Sequence, residues 1–145
     1  MLKNIDPLLT PELLEVLAAM GHGDDLVLCD ANFPAASVAR TTVHGHPIHL
    51  AGADVPRAAA AILSLLPLDD FVPAPICRME VTGDPESLPD VQREVQALVG
   101  DVQIEGIDRF VFYDKARTAF AVVATGERRF WGCFIFKKGV IPPAG

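Results

Sequence analysis

Apolar and polar positions follow two rhythms along this chain, and the switches between them mark its elements. Leu13, Leu14, Leu17 and Met20 recur at the spacing of one helical face. Thr10 followed by Pro11 supplies the start, an N-cap with proline at the first helical position, and Gly21 supplies the stop. "DLVLCD" then reads as a short buried strand, and Asn32 and Pro34 in "NFPAA" break regular pairing into a loop. "HPIHLA" is a second strand. A helix over about 55–66 follows, with Asp54 as its cap, Pro56 in its first turn and Pro67 at its end.

"APICRMEVTG" alternates as a strand does, and "DPESLPDVQREVQALVG" gives a polar turn and then an amphipathic helix with Val91, Val95 and Leu98 inward. "RFVFYDKARTA" fits another helix. The chain ends in two strand-like runs, "AFAVVATG" and "FWGCFIFKKG", joined by the charged turn "ERR". Strands alternating with helices predict an α/β fold, a single layered domain over residues 1–145 with a central sheet flanked by helices. The pattern leaves strand order open. No repeat, linker or low-complexity segment interrupts it.

Composition refines this picture. The 145 residues are enough to bury a core without disulfide or metal staples, and Cys29, Cys77 and Cys133 form no Cys-x-x-Cys pair, so reduced thiols are expected. Hydrophobic residues make up 50% of the chain and mean hydropathy is +0.31, which predicts apolar surface shared between subunits of a homo-oligomer. A net charge of −7, from 12 basic and 19 acidic residues, disfavours nucleic acid and anionic membranes as partners. The run "AAAAILSLL" falls well short of the ~20 residues of a spanning helix. The first residues lack a signal peptide's apolar core, so a cytoplasmic location is expected.

Candidate chemistry clusters around "MGHGDDLVLCDANFPA". His22 lies just past a helix C-terminus between two glycines, where it reads equally as a helix cap or as an acid/base group. Asp30 ends a buried strand, where α/β folds bind ligands, although a loop-capping aspartate looks the same. Asp24 and Asp25 read as a solvated turn. Arg109, beside Asp108 and "FVFY", is either an anchor for an oxygen-rich ligand or half of an ion pair. Trp131 and Cys133, two apart on an expected strand, share a face, and the indole either stacks on a sugar ring or fills an interface. His44, His46 and His49 resemble metal ligands in spacing, but a strand would turn His49 away from the other two, so no metal site is expected. No Walker or Rossmann glycine pattern is present.

Taken together, "LLTPELLEVLAAMGHGDDLVLCDANFPA", "RFVFYDKARTAFAVVATGERR" and "WGCFIFKKGV" resemble the bacterial L-fucose mutarotase and D-ribose pyranase family over nearly the whole chain. "GHGD", "FPA", an arginine before "FxFY" and the "GER" turn resemble its fucose branch. The resemblance implies a D-ribose pyranase-like fold, assembly into cytoplasmic decamers with sites near subunit interfaces, and an isomerase that interconverts anomers of a free monosaccharide without a cofactor. It also implies roles: His22 matches the catalytic proton donor, Asp30 a sugar-binding carboxylate, Arg109 another sugar contact, and Trp131, Gly132 and Cys133 the last binding stretch.

That stretch departs from the family pattern, which has Tyr-Gly-Asn or Tyr-Ala-Asn. An indole donates only, where a phenol also accepts, and a thiol is a weak substitute for an amide. Tyr113, the only tyrosine, is the residue available to stand in as a proton relay. The expected activity is L-fucose mutarotation. The alternatives are a non-catalytic sugar-binding protein of the same fold and a pyranase acting on D-ribose.

Overall fold

In the computed structural model, which describes residues 1–144, Thr10 caps the first helix as its position predicts. Its hydroxyl accepts the Leu13 N–H at 3.2 Å, and α1 runs over Pro11–Ala19. The Lys138 ammonium closes the other end, donating to the Leu17 and Met20 carbonyls at 2.8 and 2.5 Å. Then come β1 (Asp25–Cys29), α2 (Ala35–Ala39), β2 (Ile48–Leu50), α3 (Val55–Leu63), β3 (Ile76–Met79) and α4 (Asp90–Val99). The rest is β4 (Ile104–Ile107), α5 (Arg109–Arg117), β5 (Ala121–Thr125) and β6 (Phe134–Lys137). Asp54 caps α3 by accepting the Arg57 N–H at 2.9 Å.

The strands form one six-stranded sheet in the order β2-β5-β1-β6-β3-β4. β1 and β2 run parallel to β5, β3 runs parallel to β4, and both β1 and β3 oppose β6. Five strands therefore share a direction and β6 alone opposes them. Their carboxyl ends fall along one edge of the sheet, the edge at which α/β folds bind ligands.

The two-residue period of the strands sorts side chains between two cores. Leu26, Leu28, Val123, Phe134 and Phe136 face α1, α3 and α4, meeting Leu13, Ile62 and Val95. Val27, Cys29, Val122 and Ile135 face α2 and α5, meeting Val38, Phe112 and Ala116. A helix layer thus covers each face.

Several details differ from expectation. α2 forms inside the segment expected to be loop, and β4 was not foreseen; α2 has only five residues, and β4 is a partly exposed edge strand with little contrast between its faces. Leu98 is 46% exposed, and Gln92 turns inward on α4 instead. Asp25 opens β1 and pairs with Lys137 at 3.0 Å, while only Asp24 caps the turn, accepting the Gly21 N–H at 2.7 Å. Trp131 and Cys133 precede β6, so whatever they share is set by a loop and not by strand alternation.

Gly126 follows β5 at a point where two backbones touch, its N–H donating to the Ala53 carbonyl at 2.9 Å. A Cβ there would lie 2.0 Å from the Ala51 carbonyl oxygen, and no side chain can swing aside to relieve it. Gly126→Ala is expected to destabilise the fold by more than about 3 kcal/mol, beyond the usual overpacking cost. A urea denaturation midpoint close to wild type would contradict that close approach.

Candidate functional site

The carboxyl edge of the sheet opens into a pocket of about 280 Å³. β1 leads into Asp30, the first two turns of α5 bring Arg109 and Tyr113, and the β5–β6 loop adds Phe130, Trp131 and Cys133. That volume suits a small ligand. Sequence distance conceals the grouping, since the lining comes from segments far apart in the chain.

Asp30 holds the pocket wall together. Its Oδ1 accepts the Asn32 and Phe33 N–H groups at 3.0 and 3.1 Å; its Oδ2 accepts the Gly132 N–H at 3.1 Å and the Cys133 thiol at 3.4 Å. Burial raises the carboxyl's pKa, and these donors pull it back down, the thiol most among them. The side chain thereby ties the end of β1 to the loop entering β6.

Trp131 sits in that loop with φ 67°, a left-handed conformation that costs a non-glycine residue roughly 1–2 kcal/mol. Gln92 helps to hold it there. Buried on α4, its amide donates to the Trp131 carbonyl at 3.0 Å and the Met79 carbonyl at 2.8 Å. Gly132 is packed as tightly: a Cβ would stand 3.1 Å from Glu127 Cγ. Glu127 in turn is buried, accepts the Val55 N–H that begins α3, and pairs with Arg129, which also grips Glu94 through two bonds of 3.0 and 2.9 Å. The Arg129 guanidinium holds the Glu127 carboxyl down at about 2.

Arg109 supplies the pocket's cation. Its guanidinium carbon lies 4.7 Å from the Phe110 ring centroid and 5.9 Å from that of Tyr113, and it enters no ion pair among the described residues. Asp108 is occupied otherwise, capping α5 through the Phe110 N–H at 2.8 Å. The ion-pair alternative for Arg109 thus falls away. Tyr113 also lines the pocket, while Phe112 between them is the residue that enters the core.

His22 lies elsewhere. It precedes β1 whereas Asp30 follows it, and five residues at ~3.3 Å each put roughly 17 Å of strand between them. There its Nε2 lies 3.1 Å from Oδ1 of buried Asp69, and its ring meets Phe71 edge-on at 5.1 Å. The Phe71 N–H, followed by His22, lowers the Asp69 pKa, so the aspartate is an ionised acceptor and His22 Nε2 carries the proton. Nδ1 is left with its lone pair free. One chain therefore holds two separate groups, His22 with Asp69 and the pocket, at opposite ends of β1. His44 and His46 join neither half, and both contact Glu12; His49 stands apart on β2.

A family profile described as the RbsD / FucU transport protein family matches residues 3–141. The chain belongs to this family. It is 45% identical to the fucose mutarotase of Bos taurus, across 98% of this chain and 95% of that one. It is 43% identical to the L-fucose mutarotase of Actinobacillus pleuropneumoniae serotype 5b, across 98% and 99%. The crystal structure of the Streptococcus pneumoniae fucose mutarotase in complex with L-fucose superposes with a TM-score of 0.87 at 36% identity, covering 97% of this chain and 100% of that chain. The mixed sheet and five helices are thus the RbsD/FucU fold.

Sequence reasoning missed Asp69, which meets His22, and Gln92 and Glu127, which hold the loop of Trp131 and Gly132. Gln92 alone carried a signal, a polar residue on the inward stripe of an amphipathic helix. Glu127 yields a pH prediction. Its folded pKa, about 2, lies below its ordinary 4.5, so its stabilisation is present above the ordinary value and is lost as pH falls through about 2. Glu127→Gln is expected to lose on the order of 3 kcal/mol at neutral pH, with the gap to wild type closing between about pH 5 and pH 2. Urea titrations across that range check it, and a gap independent of pH would contradict the ion pair.

Proposed function

We propose that this chain is an isomerase, a monosaccharide mutarotase that interconverts the anomers of L-fucose or a closely related aldose. The observation that carries this reading is a sugar-sized pocket holding an unpaired guanidinium and an indole, in a chain 45% identical to a fucose mutarotase over nearly its whole length. In it Arg109 donates to sugar hydroxyls, Trp131 covers an apolar face of the ring, and Asp30 sets the shape of the wall with Gly132 and Cys133. The Cys133 contact is the longest of the four on Asp30, so a sugar hydroxyl reaches that carboxylate most readily by replacing the thiol.

Mutarotation removes a proton from the anomeric hydroxyl and delivers one to the ring oxygen, so that the ring opens to an aldehyde and recloses on its other face. His22 performs the transfer through Nδ1, with Asp69 as the positioning residue that fixes its tautomer. Tyr113 is the pocket's relay candidate. The residues of this site need no metal or organic cofactor for these steps.

Because one chain separates His22 from the pocket, the complete site takes His22 from a second copy. Exposed aromatics flank both halves, Phe71 beside His22 and Phe110 and Phe130 at the pocket, the surface that such a copy would cover. This reading includes a cytoplasmic homo-oligomer, a decamer in the family resemblance.

Saturation-transfer NMR between the anomeric protons of L-fucose tests it, followed by D-ribose. Wild type is expected to accelerate exchange, and His22→Ala to lose about 10²- to 10⁴-fold of that acceleration. Sugar binding without exchange would instead make this a binding protein, and faster exchange with D-ribose would make it a pyranase. Asp69→Asn is expected to lower exchange at least about tenfold while sugar affinity stays, because an amide can donate to Nε2 and invert the tautomer. Unchanged exchange would remove Asp69 from the mechanism. Mixing unfolded His22→Ala and Arg109→Ala chains and refolding them together is expected to restore about a quarter of wild-type activity, the fraction of shared sites in which both residues survive. No recovery in a refolded, assembled mixture would place the whole site within one chain.

A further inference from the structure

The segment 44–46 is the one histidine-rich motif that the sugar site leaves unused. Its histidines sit in a turn, not on a strand: Gly45 adopts φ 86°, its N–H donates to the Thr42 hydroxyl at 3.1 Å, and the His44 N–H donates to the Phe120 carbonyl at 2.9 Å. That reversal brings the two imidazoles together, ring centroids 4.3 Å apart and tilted by 36°. Both Nε2 atoms converge on a single oxygen, Oε1 of Glu12 in the first turn of α1, at 2.7 and 2.9 Å. The donor atoms of all three residues lie within 4.8 Å of one another.

We propose that Glu12, His44 and His46 form a binding site for a divalent transition ion of the zinc type, distinct from the sugar pocket and joining α1 to the turn before β2. Two imidazole nitrogens and a carboxylate oxygen are a donor set that zinc takes at about 2.0–2.2 Å, with water completing the tetrahedron. An ion at those distances separates its ligands by roughly 3.3 Å, so each Nε2 need withdraw from Oε1 by only about half an ångström. Each imidazole then carries its proton on Nδ1 and gives the Nε2 lone pair to the ion. The hard ions calcium and magnesium fit poorly, since they take six or more oxygen ligands and imidazole is not among their preferences.

Position supports the assignment. The His44 side chain is 18% exposed, Glu12 42% and His46 64%, so the cluster has one sheltered ligand and an open outer side from which an ion arrives and where water can remain. Both converging elements are anchored independently, α1 by its Thr10 cap and the turn by its Thr42 and Phe120 bonds. His49 lies outside the cluster on β2 and serves as the internal control.

The test is calorimetric titration of Zn²⁺ into chelator-treated protein, repeated in competition with a chromophoric chelator. One ion per chain is expected, with affinity falling at least about 100-fold in His44→Ala, His46→Ala and Glu12→Ala and unchanged in His49→Ala. His46 is the most exposed of the three, so its variant keeps the fold, and thermal melts without metal verify this for each protein. In ¹⁵N-edited spectra of the imidazoles, zinc should replace the proton on Nε2 of His44 and His46, leaving each ring protonated at Nδ1 and any excess proton in the buffer. Absence of binding, binding that survives all three substitutions, or Nε2 protons that persist at saturating zinc would each overturn the proposal and leave a hydrogen-bonded cluster only.

Discussion

The carboxylate of Asp30 collects four donors from two segments, and the geometry of the pocket depends on that convergence. A buried carboxylate without partners would be expensive, and burial does raise its pKa. Backbone N–H groups on either side repay that cost and in doing so fix two loops relative to each other. The loop carrying Trp131 can then hold a left-handed backbone that it would not adopt alone, with Gln92 fastened to its carbonyl. Strain at Trp131 and saturation at the buried acid are two sides of one arrangement.

The direction of β1 imposes the second constraint. A rigid strand whose ends carry His22 and Asp30 cannot bring them together, because its residues are fully extended and paired on both sides, with β5 and with β6. A flexible linker could have folded back. The strand instead makes separation permanent, and a site that needs both residues requires a second copy. Among the exposed apolar side chains, Phe71 stands against His22, Phe130 lines the pocket and Phe110 lies under the Arg109 guanidinium.

Legibility followed the range of the interactions involved. The caps by Thr10 and Asp54, the continuous apolar runs of β1 and β5, and the helical stripe of α1 depend on neighbours within a few residues, and each is visible in sequence. β4 was not, because an edge strand has one partner and half-exposed faces. Within the site, Asp30 and Arg109 were readable as chemistry, and Trp131 with Cys133 as a pair, although the pair meets through a loop. Asp69 is 47 residues from His22, and Glu127 is 72 residues from the Val55 N–H it accepts. No local pattern encodes such contacts. The histidines of 44–46 show the same limit differently: a strand was assumed there, and a single glycine at φ 86° converts their spacing into a turn that meets Glu12.

The departure at Trp131 and Cys133 bears on which step the pocket favours. A tyrosine and asparagine would offer hydroxyl and amide groups, each able to donate and accept, directly to a sugar. Here the indole offers one N–H and a large apolar face, and the thiol is turned toward Asp30. The pocket has thereby exchanged polar contacts for surface, which favours a ring with an apolar patch over one hydroxylated throughout. A 6-deoxy sugar presents such a patch in its methyl group. Neither the indole of Trp131, which only donates, nor the buried Cys133 thiol, which is engaged with Asp30, supplies the paired donor and acceptor that a phenol would.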